Sequence, residues 1–224
     1  MKILVIDDHP LIREALRHVL RALDEAIELI EAQNLAEALD ASRTHPDLQL
    51  MLLDLALPGT ERFEALRELR EQQPAIPVVV LSASDDPQTV KQALDLGAMG
   101  FIPKTSSNDI LVGALRLVLA GGVYLPPEVL RTAASGGILR DWGAHSGTSG
   151  GSLSARDIGL TQRQMQVLGL LIQGKPNKLI CRQLQLAEAT VKIHVTAILK
   201  ALGVANRTQA VIAVSKLGLK LPPA

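Results

Sequence analysis

Short apolar runs alternate with longer amphipathic segments over residues 1–120. The apolar runs are KILVI, AIELIEA, LQLMLLD, IPVVVLS and GFIP, each of a length typical of a buried strand. Helical periodicity between and after them predicts helices at Pro10–Leu23, Leu35–Arg43, Phe63–Gln72, Gln88–Leu96 and Asn108–Leu119. Buried strands alternating with helices are typical of a parallel sheet covered on both faces. The pattern therefore predicts an α/β domain over 1–120, with a doubly wound, five-stranded parallel sheet.

The pattern changes after residue 120. Residues 121–156 are rich in Gly and Ser, which predicts a flexible linker with room for a short helix at Pro127–Thr132. Apolar periodicity then predicts four further helices, at Gln162–Ile172, Asn177–Leu184, Glu188–Leu202 and Thr208–Leu217. Residues 157–224 are therefore expected to form a small all-α domain.

The formal net charge of zero hides a division of charge along the chain. Residues 1–153 carry 13 Lys and Arg against 21 Asp and Glu, a net charge of −8, and residues 154–224 carry 10 against 2, a net charge of +8. The division favours an acidic module joined to one that binds nucleic acid. The alternative is a chance partition of solvated charge.

Composition narrows the function classes further. The sequence has no run of apolar residues long enough for a membrane span, and its first residues lack the pattern of a signal peptide. A single cysteine, Cys181, cannot form an internal disulfide. Aromatic residues make up only 2% of the chain, which argues against stacking on single-stranded nucleic acid. We therefore expect a cytoplasmic location and no membrane partner.

Polar residues end four of the predicted strands. They are Asp7, Asp8, Asp54, Ser82 and Lys104. The carboxyl ends of parallel strands meet at one edge of a sheet, where ligands bind. Clustered carboxylates suit Mg²⁺, and the ion together with the ammonium could neutralise a phosphoryl group attacked by Asp54. The alternative, ordinary polar loop starts, does not explain five complementary groups at one edge.

The motifs IDDHP, LLDLALPG, VVVLSAS and GAMGFIPK resemble the receiver domain of two-component response regulators. The resemblance implies that a sensor histidine kinase phosphorylates Asp54. It also implies that Mg²⁺ is held by the carboxylates of Asp7, Asp8 and Asp54 and the backbone carbonyl of Ala56. The phosphoryl group would be contacted by Ser82 and Lys104, and Phe101 would change rotamer as a switch residue.

A phosphatase of the haloacid-dehalogenase type is the competing enzyme class, since it also uses an aspartate nucleophile with Mg²⁺. Such enzymes place a general acid two residues after the nucleophile, and the residue at that position here is Ala56. The missing acid disfavours a phosphohydrolase. We expect no enzyme activity beyond slow self-dephosphorylation of Asp54.

The motifs LTxRxxxVL, NKxI, TVKxH and LGVxNRTQA resemble the LuxR-type helix-turn-helix of the NarL/FixJ family. Helical periodicity over Glu188–Leu202 separates an inward arc from an outward one. The inward arc is Val191, Val195, Ile198 and Leu202. The outward arc is Lys192, Ile193, Thr196 and Lys200, residue types that can read the major groove. A solvated face with one stray isoleucine is the alternative.

The resemblance assigns base contacts to Lys192, Ile193 and Thr196, and phosphate contacts to Lys178, Thr190 and His194. Lys200 completes the predicted DNA-binding set. Two of these assignments stay open, because Lys192 could contact guanine or phosphate and His194 could instead be a half-buried packing residue.

Three helix starts carry information on capping. Thr161 and Gln164 form a predicted capping box. Pro176 and Ala187 stand where the family favours Ser, which predicts two helices without a side-chain cap.

The residues and the resemblance together predict a phosphorylation-switched transcription factor. Its expected partners are a sensor histidine kinase, double-stranded DNA, RNA polymerase and a second copy of the chain. The alternative is a signalling switch that acts through protein contacts, with DNA binding weak or lost.

Overall fold

The computed structural model describes residues 1–127 and 159–217. The first part contains a parallel sheet of five strands in the order β2-β1-β3-β4-β5. The strands are β1 (Lys2–Ile6), β2 (Glu28–Ala32), β3 (Leu48–Asp54), β4 (Val78–Ser82) and β5 (Gly100–Pro103). The predicted fold class is therefore confirmed.

Helices cover both faces of this sheet. Helices α1 (Pro10–Leu23) and α5 (Asn108–Leu119) pack on one face. Helices α2 (Leu35–Thr44), α3 (Glu64–Gln72) and α4 (Pro87–Asp95) pack on the other. The central strands β1, β3 and β4 are buried on both sides, which explains why they read as nearly continuous apolar runs.

The second described part is a helical bundle with its own core. Its helices are α6 (Gln162–Ile172), α7 (Asn177–Leu184), α8 (Glu188–Ala201) and α9 (Arg207–Leu217). The predicted capping box at Thr161 and Gln164 is present. Residues 128–156 of the predicted linker, which include all but the first residue of the short helix expected at Pro127–Thr132, lie outside the described residues.

Several predicted helix bounds are wrong by one residue. Helix α4 begins at Pro87, one residue earlier than predicted, because the Asp86 side chain accepts the Thr89 N–H at 2.9 Å and caps the helix there. Helix α3 begins one residue later, because Phe63 has φ −118° and ψ 4° and lies outside the helix. The bounds of α2, α8 and α9, and the end of α4, also differ by one residue.

Within the described residues, none of the helices is both long and apolar enough to cross a bilayer.

Candidate functional sites

Two buried aspartates lie where neighbouring strands β1 and β3 end. Asp7 follows β1 and is fully buried, and Asp54 ends β3 and is 2% exposed. In this strand order the chain leaves β1 and β3 in opposite directions across the sheet, so the two strands flank a crevice. The structure thus brings the two carboxylates together at the edge where ligands bind in such sheets.

Lys104 joins these two carboxylates. Its Nζ donates hydrogen bonds to Asp7 Oδ2 at 2.7 Å and to Asp54 Oδ2 at 2.8 Å. Burial would lower the pKa of Lys104, but the hydrogen bonds and charges of Asp54 and Asp7 outweigh it and raise the pKa above its usual value. The ammonium is therefore charged at neutral pH and already lies beside the carboxylate expected to take the phosphoryl group.

The acidic edge has the donor set of a divalent-cation site. Asp7, Asp8, His9 and Asp54 each offer one ligand atom, and these atoms lie within 4.8 Å of one another. Asp8 Oδ1 is buried and accepts no hydrogen bond from the residues that the structure describes, although His9 Nδ1 lies 2.7 Å away. A buried carboxylate oxygen without a donor fits a hard cation. The cluster therefore fits the predicted magnesium site.

The remaining predicted receiver residues lie in the loop after β3 and on β4 and β5. Ala56 is exposed, and its backbone N–H donates to Asp54 Oδ1 at 3.1 Å. Ser82 ends the next strand and is buried, and its hydroxyl accepts the Ser84 N–H at 3.1 Å. Phe101 is fully buried on β5, in the core on the side of α3 and α4.

Helix α8 presents the two arcs that its periodicity predicts. Val191, Val195 and Ile198 are buried in the core of the bundle, and Leu202 is half-buried. In the outward arc Ile193 is 67% exposed. Of the other predicted DNA contacts, Lys178 and Lys200 are exposed, whereas Thr190, His194 and Thr196 are partly buried.

The Lys192 side chain contacts the receiver and is only 11% exposed. Its Nζ donates to the backbone carbonyls of Pro46, at 2.7 Å, and Leu48 at the start of β3. Burial lowers the pKa of Lys192, although the charges of Glu188 and Asp47 oppose that shift. One central residue of the predicted DNA-reading arc is therefore covered by the other domain.

Two arginines accompany this contact between the domains. Arg70 on α3 is 6% exposed and donates to the backbone carbonyl of Ala205, in the turn before α9. Burial lowers the pKa of Arg70 to about 10. Arg207 lies close to the end of the receiver, because a Cβ on Gly121, the residue that follows the receiver, would approach the Arg207 Cζ to 3.0 Å. A cavity of about 270 Å³ remains between the two domains.

The two predicted uncapped helices are confirmed. Pro176 precedes α7 and Ala187 precedes α8, and neither makes a side-chain hydrogen bond to its helix.

Sequence reasoning missed three residues near these sites. His9 directly follows the aspartate pair, and its proximity to those acids was a signal. Arg13 and Arg70 lie on the buried faces of α1 and α3. An arginine within an apolar helical stripe is the pattern that could have identified both, because a buried guanidinium requires acceptors.

A receiver with an acidic strand-end cluster, joined to a helix-turn-helix bundle, is the architecture of a DNA-binding response regulator. Comparison with known proteins agrees. Residues 3–116 match the response regulator receiver domain, and residues 159–214 match the family described as bacterial regulatory proteins, luxR family.

Whole-chain relatives extend this agreement. The chain is 44% identical over 211 residues to the glycerol metabolism activator of Pseudomonas putida, covering 94% of this chain and 93% of the relative. It is 36% identical over 217 residues to the nitrate/nitrite response regulator protein NarL of Escherichia coli K12, covering 94% and 93%. A crystal structure of a LuxR-family two-component response regulator from Aurantimonas sp. SI85-9A1 has 27% identity and a TM-score of 0.55, covering 60% of this chain and 95% of that one.

The chain belongs to the NarL/FixJ family of two-component response regulators. This is a family of transcription regulators and not of enzymes.

Proposed function

We propose that phosphorylation of Asp54 controls the access of helix α8 to DNA. The observation that carries this proposal is the burial of the Lys192 ammonium against the receiver carbonyls of Pro46 and Leu48. We call this docked state the closed arrangement. Since Leu48 begins the strand that Asp54 ends, the phosphoacceptor and the covered DNA contact lie at opposite ends of β3.

In the proposed reaction an Asp54 carboxylate oxygen attacks the phosphorus of a phosphohistidine on the sensor kinase. The new P–O bond forms as the P–N bond breaks, and the kinase histidine leaves. Lys104 turns from Asp7 and Asp54 to pair with the transferred group, and the Ser82 hydroxyl donates a hydrogen bond to it.

Asp7, Asp8, Asp54 and the Ala56 carbonyl are proposed to hold Mg²⁺. The ion supplies neutralisation of phosphoryl charge when bound. This proposal is supported by the oxygen-rich cluster and by the buried Asp8 oxygen, which accepts no hydrogen bond from the described residues. Slow self-dephosphorylation of Asp54 resets the switch.

Movement of Ser82 toward the phosphoryl group vacates space beside β5, and Phe101 follows by changing rotamer. The change alters the face formed by α4, β5 and α5. This change weakens the closed arrangement and exposes the DNA-binding face of helix α8. Lys192, Ile193 and Thr196 then contact bases. The residues near the phosphates or at the edge of the groove are Lys178, Thr190, His194 and Lys200. The released helix-turn-helix domains of two copies of the chain would then bind paired half-sites as a dimer.

The proposed cellular location follows from the proposed DNA target. A protein that binds chromosomal DNA acts in the cytoplasm of a bacterium. The P. putida relative is named an activator, which supports activation through RNA polymerase. The domain limits that we propose are 1–120 for the receiver, 121–156 for the linker and 157–224 for the helix-turn-helix domain.

The test is selection of DNA fragments from a random pool with the full chain, in the presence and absence of acetyl phosphate and Mg²⁺. We expect phosphodonor-dependent enrichment of paired half-sites. The Asp54→Asn variant should not be labelled by the phosphodonor in the presence of Mg²⁺. Its enrichment of DNA sites should therefore be the same with and without acetyl phosphate. Undiminished labelling of that variant would contradict the assignment of Asp54.

A second function, a switch that acts through protein contacts alone, is favoured by one observation. Neither Pro176 nor Ala187 caps its helix with a side-chain hydrogen bond, and a missing cap is expected to lower the stability of the two helices that carry the predicted DNA contacts. The same selection distinguishes the two functions, since this alternative predicts no enriched sequence in either condition.

A further inference from the structure

A buried arginine lies on the apolar face of α1. Arg13 is 9% exposed and shares that face with Leu16, Val19 and Leu20. Burying a guanidinium costs free energy unless its nitrogens find acceptors. The acceptors that Arg13 finds therefore indicate what the residue does.

Arg13 connects the edge strand to the acidic cluster. Its Nε donates to Glu31 Oε2 on β2 at 3.1 Å, and its Nη1 donates to the backbone carbonyl of Asp7 at 2.7 Å. Glu31 also accepts a hydrogen bond from Arg17. The carboxylate thus anchors one edge of the Arg13 guanidinium while another nitrogen reaches the Asp7 carbonyl.

The Asp7 carbonyl sets the course of the chain through the cluster. It belongs to the planar peptide that also contains the Asp8 nitrogen, so its direction fixes where the Asp8 side chain leaves the backbone. The Asp7 N–H is already held by the Ala32 carbonyl at 3.1 Å. Its carboxylate accepts from Lys104 and, at 2.9 Å, from the His9 backbone N–H. Arg13 holds the Asp7 carbonyl itself, and so adds the contact that orients the Asp7–Asp8 peptide directly.

We propose that Arg13 is a positioning residue of the phosphoacceptor site, which fixes the peptide between Asp7 and Asp8 so that both carboxylates face a divalent cation. The inference rests on the proposed phosphoacceptor function. Loss of a group that orients a metal ligand typically costs about 10–100-fold in metal affinity. Because Arg13 contacts a backbone carbonyl and not a ligating oxygen, we expect the lower end, about tenfold.

The test measures two quantities on the full chain as a function of Mg²⁺ concentration. They are the melting temperature without phosphodonor, which reports Mg²⁺ binding itself, and the initial rate of Asp54 labelling by acetyl phosphate. Arg13→Met keeps the volume and the apolar packing of α1, and it should raise the half-saturating Mg²⁺ concentration about tenfold with the maximal rate unchanged. Arg13→Lys should recover part of this loss, because an ammonium can still donate to the Asp7 carbonyl. If Arg13 only stabilised the fold, its loss would not change the Mg²⁺ affinity while leaving the maximal labelling rate unchanged.

The matched control is Arg17→Met. Arg17 bonds Glu31 and Glu14 but not Asp7, so its Mg²⁺ dependence should equal that of the wild type. If Arg13→Met does not fold, as judged by thermal unfolding, Glu31→Ala provides the second test. It removes the anchor of Arg13 from a partly exposed site on β2, and it should shift the Mg²⁺ dependence in the same direction by less.

Three outcomes would overturn the inference. The first is an unchanged Mg²⁺ dependence in Arg13→Met, and the second is an equal shift in Arg17→Met. The third is a lower half-saturating Mg²⁺ concentration in Arg13→Met, which would show that the charge of Arg13 matters and not its positioning of the peptide. Absence of labelling in the wild-type chain at every Mg²⁺ concentration would instead overturn the phosphoacceptor function.

Discussion

A methyl group at Gly97 should force the closed arrangement apart. Gly97 lies in the turn after α4, and a Cβ built there would approach Ala205 Cβ to 2.9 Å and the Ala205 carbonyl oxygen to 3.1 Å. The same Cβ would lie 3.1 Å from Arg70 Nε. The substitution Gly97→Ala therefore places an atom between the receiver and the turn that Arg70 holds.

The size of the effect follows from the overlap. Ordinary carbon contacts begin near 3.4 Å, and neither Ala205 atom is the end of a flexible side chain. Overpacking of this kind costs about 1–3 kcal/mol. The part of that cost that comes from Ala205 applies only while the domains are docked, whereas the contact with Arg70 lies within the receiver. A coupling of about 1–3 kcal/mol corresponds to a change of about 5–150-fold in the ratio of open to closed protein.

The assay is the affinity of unphosphorylated protein for a DNA fragment recovered by selection, at fixed salt. Gly97→Ala should bind more tightly than the wild type, up to the affinity of the phosphorylated protein. Gly97 has φ +96°, so alanine also strains the backbone, and Gly59→Ala controls for that strain. Gly59 has φ +73°, and a Cβ added to it would meet no atom of residues 1–127 or 159–217 within 4 Å, so its substitution should leave DNA affinity unchanged. Equal DNA affinity of Gly97→Ala and wild type would refute the idea that docking restricts DNA binding.

Two further substitutions test helix α8. Lys192→Ala should cost about 1–3 kcal/mol of DNA binding in the phosphorylated protein and relax preference at one base position if Lys192 reads a base. If Lys192 contacts a phosphate, affinity should fall evenly across sequences and the salt slope should decrease by about 1, as measured by titration at several salt concentrations. Ala187→Ser should raise the free energy of unfolding of the C-terminal domain by about 1 kcal/mol, because the hydroxyl can accept a free N–H at the helix start. A lower melting temperature for Ala187→Ser would show that the start of α8 is already satisfied by another group.

The acidic cluster could be predicted because it depends on strand direction alone. Once the apolar runs ending at Asp7 and Asp54 are assigned to parallel strands, topology brings their carboxyl ends together. Burial of the strands on both faces made those runs easy to recognise. The bridging of both carboxylates by Lys104 follows from the same placement.

The contact between the domains could not be predicted from the sequence. Periodicity correctly placed Lys192 outside the core of its bundle, but it carries no information on what covers that face. The acceptors of Lys192 and Arg70 are backbone carbonyls, which every residue possesses, so the receiver side of the contact has no sequence signature. The helix start at Pro87 was predictable, since an aspartate before a proline is a common cap pattern.

The position of Leu48 and Asp54 at the two ends of one strand has a consequence for the direction of information flow. If phosphorylation at one end favours release of Lys192 at the other, thermodynamic reciprocity requires that DNA, by holding Lys192, favours the phosphorylated state by the same factor. Binding to a promoter would then influence the phosphorylation of the protein, just as phosphorylation influences binding to the promoter. At equilibrium with a small phosphodonor, a larger fraction of the protein bound at its sites would be phosphorylated than of the free protein, and the number of sites on a chromosome would influence how much protein carries the signal.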